Sequence, residues 1–188
     1  MAVKKSEYVR QYITDKDVGA LHPSSRFLVR RLIRCLRPER IRTVVEFGPG
    51  PGIATFPLLQ VLPANARYIA IEKNPAFLAA LKSAAADPRL LVIEGDACSV
   101  RDILAGQGIE AVDAIIASIP FSFLKKEQRM GLIDDVGSLL AEDGDFVIFH
   151  QFTPLMSSFV KKRFAHVRIL FEPRNIMPCF LIHCRKKP

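Results

Sequence analysis

From residue 43 onward, short apolar runs alternate with stretches whose apolar residues recur at helical spacing. Residues 44–47, 68–71, 90–93, 112–117 and 146–149 are brief, apolar and rich in β-branched side chains or Phe. That is the pattern of strands buried on both faces. Between them, 53–62, 75–85, 100–105 and 125–140 carry helical spacing, and Asn74 ahead of Pro75 marks a helix start. Asp143-Gly144 reads as the turn into the fifth strand. Strand and helix in alternation imply right-handed βαβ units and a parallel sheet covered on both faces. Two more strand candidates, 166–171 and 179–184, are joined by the seven residues EPRNIMP. Seven residues are too few for a helical crossover, so these two strands are expected to pair antiparallel. The pattern therefore predicts an α/β fold over 43–188, a mostly parallel seven-stranded sheet with an antiparallel C-terminal strand.

Ahead of the sheet, residues 24–37 form an amphipathic helical pattern. Phe27, Leu28, Leu32, Ile33 and Leu36 share one side, and Arg26, Arg30, Arg34 and Arg37 form a stripe on the other. Ser24 and Ser25 are the candidate caps. Residues 1–42 read together as a basic helical extension, because they hold eleven Lys and Arg against four acids, a local net of +7 out of a total of +8. A charge so unevenly spread suits a phosphate-bearing partner, either an anionic membrane surface or nucleic acid. A solvated arginine face on a docked helix explains the same stripe. At 188 residues the chain fits one domain, and no repeat or linker divides it. No apolar run approaches the roughly 18–20 residues that cross a bilayer. The charged start MAVKKSEYVRQY has no apolar segment behind it, so a cytoplasmic protein is expected, with peripheral attachment to the inner membrane face as a possibility. Cys35, Cys98, Cys179 and Cys184 are scattered without metal-ligand spacing and read as reduced core thiols; no metal is expected.

The candidate chemistry starts at the first strand, which runs into Gly48-Pro49-Gly50-Pro51-Gly52. Without Cβ atoms this loop lets backbone lie against a ligand. Its spacing is GxGxG, not the GxGxxG of a pyrophosphate-binding turn, and Glu46 stands just before it. An acid there suits a ligand carrying an ammonium group, which a phosphate site has reason to avoid. Glu72 follows the second strand, placed to accept hydrogen bonds from ribose hydroxyls, and Asp96 follows the third, placed to accept from an adenine amino group. Each alone reads equally well as a surface acid or cap. Three acids at the carboxyl ends of three consecutive strands line one crevice.

With Ser118-Ile119-Pro120-Phe121 after the fourth strand, the chain resembles the class I S-adenosylmethionine-dependent methyltransferases. More narrowly, GALHPSSRFL at 19–28, Val45-Glu46-Phe47-Gly48-Pro49-Gly50 and Ser118-Ile119-Pro120 resemble short bacterial phospholipid N-methyltransferases. More distantly they resemble rRNA adenine dimethyltransferases, which usually have Asn in place of Ser118 and carry a helical C-terminal RNA-binding domain. The resemblance implies a Rossmann-like domain, S-adenosylmethionine as methyl donor, and methylation of a phosphatidylethanolamine-type head group at an anionic membrane. RNA or another nucleic acid, and a small molecule, are the alternative acceptors. The cofactor set it implies is Glu46, Gly48, Pro49, Gly50, Gly52, Glu72, Lys73, Asp96, Ala97 and Ser118. Ser118 is expected to orient the acceptor nitrogen. Tyr12 and His150 are candidates to take its proton, alongside Tyr8 and His22. Phe121 and Phe123 are candidates for an apolar wall, with core packing the simpler expectation for Phe123.

Overall fold

A computed structural model describes residues 24–151, 153–175 and 177–186. Seven strands form one sheet: β1 (Thr43–Phe47), β2 (Arg67–Glu72), β3 (Leu90–Glu94), β4 (Val112–Ala117), β5 (Leu140–Gln151), β6 (His166–Glu172) and β7 (Cys179–Arg185). Their order is β3-β2-β1-β4-β5-β7-β6, and β7 alone runs opposite to the other six, as the short 173–178 connection from β6 requires. The helices are α1 (Arg26–Cys35), α2 (Thr55–Leu59), α3 (Pro75–Ala84), α4 (Val100–Ala105), α5 (Lys126–Leu139) and α6 (Ser157–Val160).

The strand alternation divides the core in two. Val45, Phe47, Ile69, Ile115, Phe146 and Ile148 pack beneath α4, α5 and α6. Val44, Tyr68, Ala70, Ile116 and Val147 pack beneath α1, α2 and α3. Leu28, Val29, Leu32 and Cys35 bury one side of α1, while Phe27 and Ile33 stay only partly covered. Helix α1 is thus part of the second core. Asn74 caps α3 as its sequence indicates, its side chain accepting from the amides of Ala76 and Phe77 at 3.0 and 3.1 Å. Asn74→Ala is expected to cost about 1 kcal/mol in urea unfolding, the ordinary worth of such a cap.

Three expectations change. Helix α2 is five residues long instead of ten, since residues 53 and 54 belong to the turn that follows the glycine loop and, at the far end, Leu62 stands before Pro63, a position that disfavours helical backbone. Asp143-Gly144 is not a turn ahead of β5 but an irregularity inside it, with Asp143 at φ 62° and the register to β4 shifted. Arg37 does not belong to the free arginine stripe. It donates to Asp143, by a short bond to the Asp143 carbonyl and a 3.0 Å bond to its carboxylate, and to the Asp145 carboxylate at 3.3 Å. Asp145, 3% exposed, also accepts from His183 at 2.7 Å and Arg185 at 3.1 Å. Burial pushes its carboxyl up, but these hydrogen bonds outweigh it and the net shift is downward.

Candidate functional site

A cavity of about 250 Å³ opens at the carboxyl ends of β1 to β5, just below the roughly 300 Å³ at which small-molecule sites begin. Its lining brings together Glu46, Gly48, Pro49, Gly50, Glu72, Lys73, Asp96, Ala97 and Ser118, nine of the ten residues expected from sequence. Gly52 is the tenth. It is buried behind the loop, where a Cβ would lie 2.4 Å from the Phe56 ring.

The loop is held from the neighbouring strand. The amide of Gly50 donates to Glu72 Oε2 at 2.9 Å, and that of Asn74 donates to Oε1 at 2.8 Å. Glu72 therefore ties the β1 loop to the start of α3. Gly48, Gly50 and Gly52 all have positive φ (67°, 55° and 87°), and no atom within 4 Å would meet a Cβ on Gly50.

Glu46 is 1% exposed, on the face of β1 that carries Val44. Its Oε2 accepts from Thr55 Oγ1 at 2.5 Å and from the Tyr68 hydroxyl at 2.7 Å. Its Oε1 has no bonded partner among the described residues. Burial pushes the Glu46 carboxyl up to about 7, against the two hydroxyl bonds that favour the ionised form. Asp96 caps the short helical turn Ala97–Ser99 through the Cys98 amide at 2.9 Å and pairs with Lys73 at 3.4 Å. Burial acts to raise Asp96, but the Cys98 amide and Lys73 outweigh it, and its carboxyl lies below its usual range. The amide of Ser118 donates to the Phe47 carbonyl at 2.9 Å, leaving its hydroxyl and carbonyl unbonded among the described residues.

His150 does not line this cavity. Together with Cys179 and Gln151 it lines a smaller neighbour, which shares Ser24, Ser118, Ile119 and Phe149 with the main one, and its Nδ1 lies 2.9 Å from the Gln151 carbonyl. Tyr8, Tyr12 and His22 lie outside the described residues, as does 19–23 of GALHPSSRFL. The expectation for the two phenylalanines is reversed: Phe121 is wholly buried and Phe123 is 59% exposed while lining the cavity. A turn of 3₁₀ helix over Phe121–Phe123 separates them, and at three residues per turn positions two apart lie on different faces. Thr55 and Tyr68 were not anticipated. The available signal was Glu46 itself, a carboxylate within an apolar strand that must find donors when buried.

No family model matches the chain. Over 169 residues it is 31% identical to an ornithine lipid N-methyltransferase of Singulisphaera acidiphila, a match covering 89% of this chain and 88% of that protein. A ribosomal RNA small subunit methyltransferase A of Acidithiobacillus ferrooxidans is 32% identical over 95 residues, covering 50% of this chain and 34% of that protein. In fold the chain is similar to the N-methyltransferase NodS of Bradyrhizobium japonicum, with a TM-score of 0.72 at 16% identity over 87% of this chain and 96% of that one.

Proposed function

The chain belongs to the class I S-adenosylmethionine-dependent methyltransferases, and from that premise we propose that it N-methylates the amine of a membrane-lipid head group, of the phosphatidylethanolamine type, at an anionic membrane surface. The observation that carries the acceptor is the relative of Singulisphaera acidiphila, matched over nearly the whole of both chains and named for a lipid amine. The RNA-methylating relatives, in contrast, match over half of this chain.

S-adenosylmethionine is the cofactor of this enzyme, and the residues present fit it. Glu46 Oε1, buried at the cavity wall and unbonded among the described residues, suits the methionine ammonium. Glu72, a carboxylate lining the cavity at the end of β2, suits ribose hydroxyls, Asp96 and Ala97 at the end of β3 suit the adenine, and Lys73 sits beside Asp96. The loop 48–52 lets backbone approach the ligand. When bound, the cofactor supplies a methyl group on a positively charged sulfur.

The protein's own task is alignment and exclusion of water. The acceptor amine must shed one proton to expose its lone pair. The Ser118 carbonyl and hydroxyl accept hydrogen bonds from the amine's remaining protons and so direct that lone pair across the cavity. Water at the open mouth carries the proton away, with His150 in the adjoining smaller pocket and Tyr12 as further candidates to receive it.

Transfer of labelled methyl to total lipid, RNA, protein and small-metabolite extracts tests the acceptor. Label is expected in lipid, on a product whose head group has gained one or more N-methyl groups. Label in RNA with none in lipid would instead establish the nucleic-acid reading, and label confined to small metabolites would establish a soluble acceptor.

A further inference from the structure

The exposed Phe123 sits at the cavity mouth, and its position is built. Phe121 anchors the turn at 0% exposure, and the Arg129 guanidinium holds the turn from below, Nε donating to the Phe121 carbonyl at 2.8 Å and Nη2 to the Ser122 carbonyl at 3.1 Å. A turn pinned at two carbonyls presents Phe123 outward at 59% exposure, with one edge still lining the cavity beside Leu124 and Gln128. Lys125 and Lys126 follow immediately and are exposed. Across the mouth stands Ser24, and two residues on, the exposed Arg26 stacks on the Phe27 ring at 5.0 Å while Arg174 stacks on the same ring at 4.5 Å. Against these four cations stand Glu127, the Lys73–Asp96 pair and the buried Glu172, which pairs with Arg174 at 2.8 Å.

Beyond Arg26, the arginine stripe does not face the mouth. Helix α1 starts at Ser25, beside the cavity, and the chain after it reaches Asp145 through Arg37. Asp145 lies four residues before Phe149 of β5, itself a cavity residue, so α1 runs away from the mouth, down the side of the sheet. Arg30 and Arg34 are one and two turns farther down, at about 5.4 Å per turn.

We propose that the turn Phe121–Phe123 with Lys125 and Lys126 is a membrane-docking lip, seating Phe123 among the acyl chains of an anionic bilayer while the two lysines meet lipid phosphates. This rests on the lipid reading of the acceptor. A lipid head group reaches the cavity only if its acyl chains stay in the bilayer, so the mouth itself must face the membrane. An aromatic side chain flanked by lysines is the composition that holds such a rim at the interface. Charge complementarity selects anionic lipid as the occupant.

The chain contains no Trp, so F123W in the full chain carries a single indole reporter. The substitution is accommodated because Phe123 is exposed. Vesicles of phosphatidylglycerol and phosphatidylethanolamine with brominated acyl chains are the probe. F123W emission is expected to move to shorter wavelength and to be quenched. V61W, whose Val61 is 48% exposed and close to Leu59 and Leu62, which Arg89 ties by their carbonyls at the opposite end of the sheet, should not respond. Lys125→Gln with Lys126→Gln is expected to weaken partitioning onto these vesicles about 30-fold, from roughly fivefold per lysine, and to leave S-adenosylmethionine affinity unchanged. The proposal is overturned if F123W stays unquenched while the protein co-sediments, if V61W responds equally, or if the protein ignores the vesicles. A quenched F123W in a protein that methylates only RNA would leave the lip standing and remove the lipid acceptor. An unresponsive F123W in a protein that methylates lipid would do the reverse.

Discussion

Glu46→Gln is expected to weaken S-adenosylmethionine binding by roughly 30- to 5,000-fold at pH 7.5, since removing one partner of a buried charge pair costs about 2–5 kcal/mol. The same substitution is expected to stabilise the protein without its cofactor. In the wild type, burial lifts the Glu46 carboxyl from 4.5 to about 7. A raised acid adds stability that is full below its unfolded value and disappears as pH rises through the folded one. Between pH 4.5 and 7 the free protein therefore loses about 3 kcal/mol to Glu46. Gln keeps the geometry, because its carbonyl oxygen can accept from both Thr55 and Tyr68, but has no charge to bury.

Cofactor binding has the opposite dependence. The methionine ammonium selects ionised Glu46, so wild-type affinity is expected to fall about tenfold per pH unit below 7. The ligand's own ammonium sets the alkaline limb. Calorimetric titration from pH 5.5 to 8.5, with thermal unfolding in parallel, reads both trends. An acid limb that persists unchanged in Glu46→Gln would assign it to another group and remove Glu46 from the cofactor site.

Much of this arrangement is visible in the sequence because its signals are local. Parallel strands covered on both faces are continuous apolar runs, so β1 to β5 declared themselves, and the 173–178 connection is short enough to fix the direction of β7. The acids at the strand ends needed only to be counted from each strand's last residue. What stayed hidden depends on contacts between distant residues. Arg37 reads as one more stripe arginine until Asp143 and Asp145, more than a hundred residues away, come to meet it. Tyr68 reads as an ordinary strand aromatic until the register sets Val44 beside it and Glu46 two residues along on the same face. Phe121 and Phe123 have the same side chain, and only the turn between them decides which is buried.

The glycine loop carries the second large effect, and it separates two residues that the GxGxG pattern treats alike. Gly52→Val is expected to destabilise the domain by about 2–6 kcal/mol, combining left-handed strain of about 1–3 with overpacking of about 1–3. Gly52 has φ 87°, and its Cβ would meet the Phe56 ring at 2.4 Å and Leu81, a fully buried core residue, at 2.9 Å. Against a total of about 5–15 kcal/mol for a domain, that is enough to unfold a marginal one. Gly50→Val meets no protein atom within 4 Å, so its cost to folding is the strain of φ 55° alone, about 1–2 kcal/mol. Its side chain instead enters open space where Gly50 lines the cavity, and the expected loss is cofactor binding in a folded protein. Urea unfolding and calorimetry on the two variants separate these effects. If Gly50→Val bound S-adenosylmethionine with wild-type affinity, the ligand would not pass over this loop, whatever the spacing of its glycines suggests.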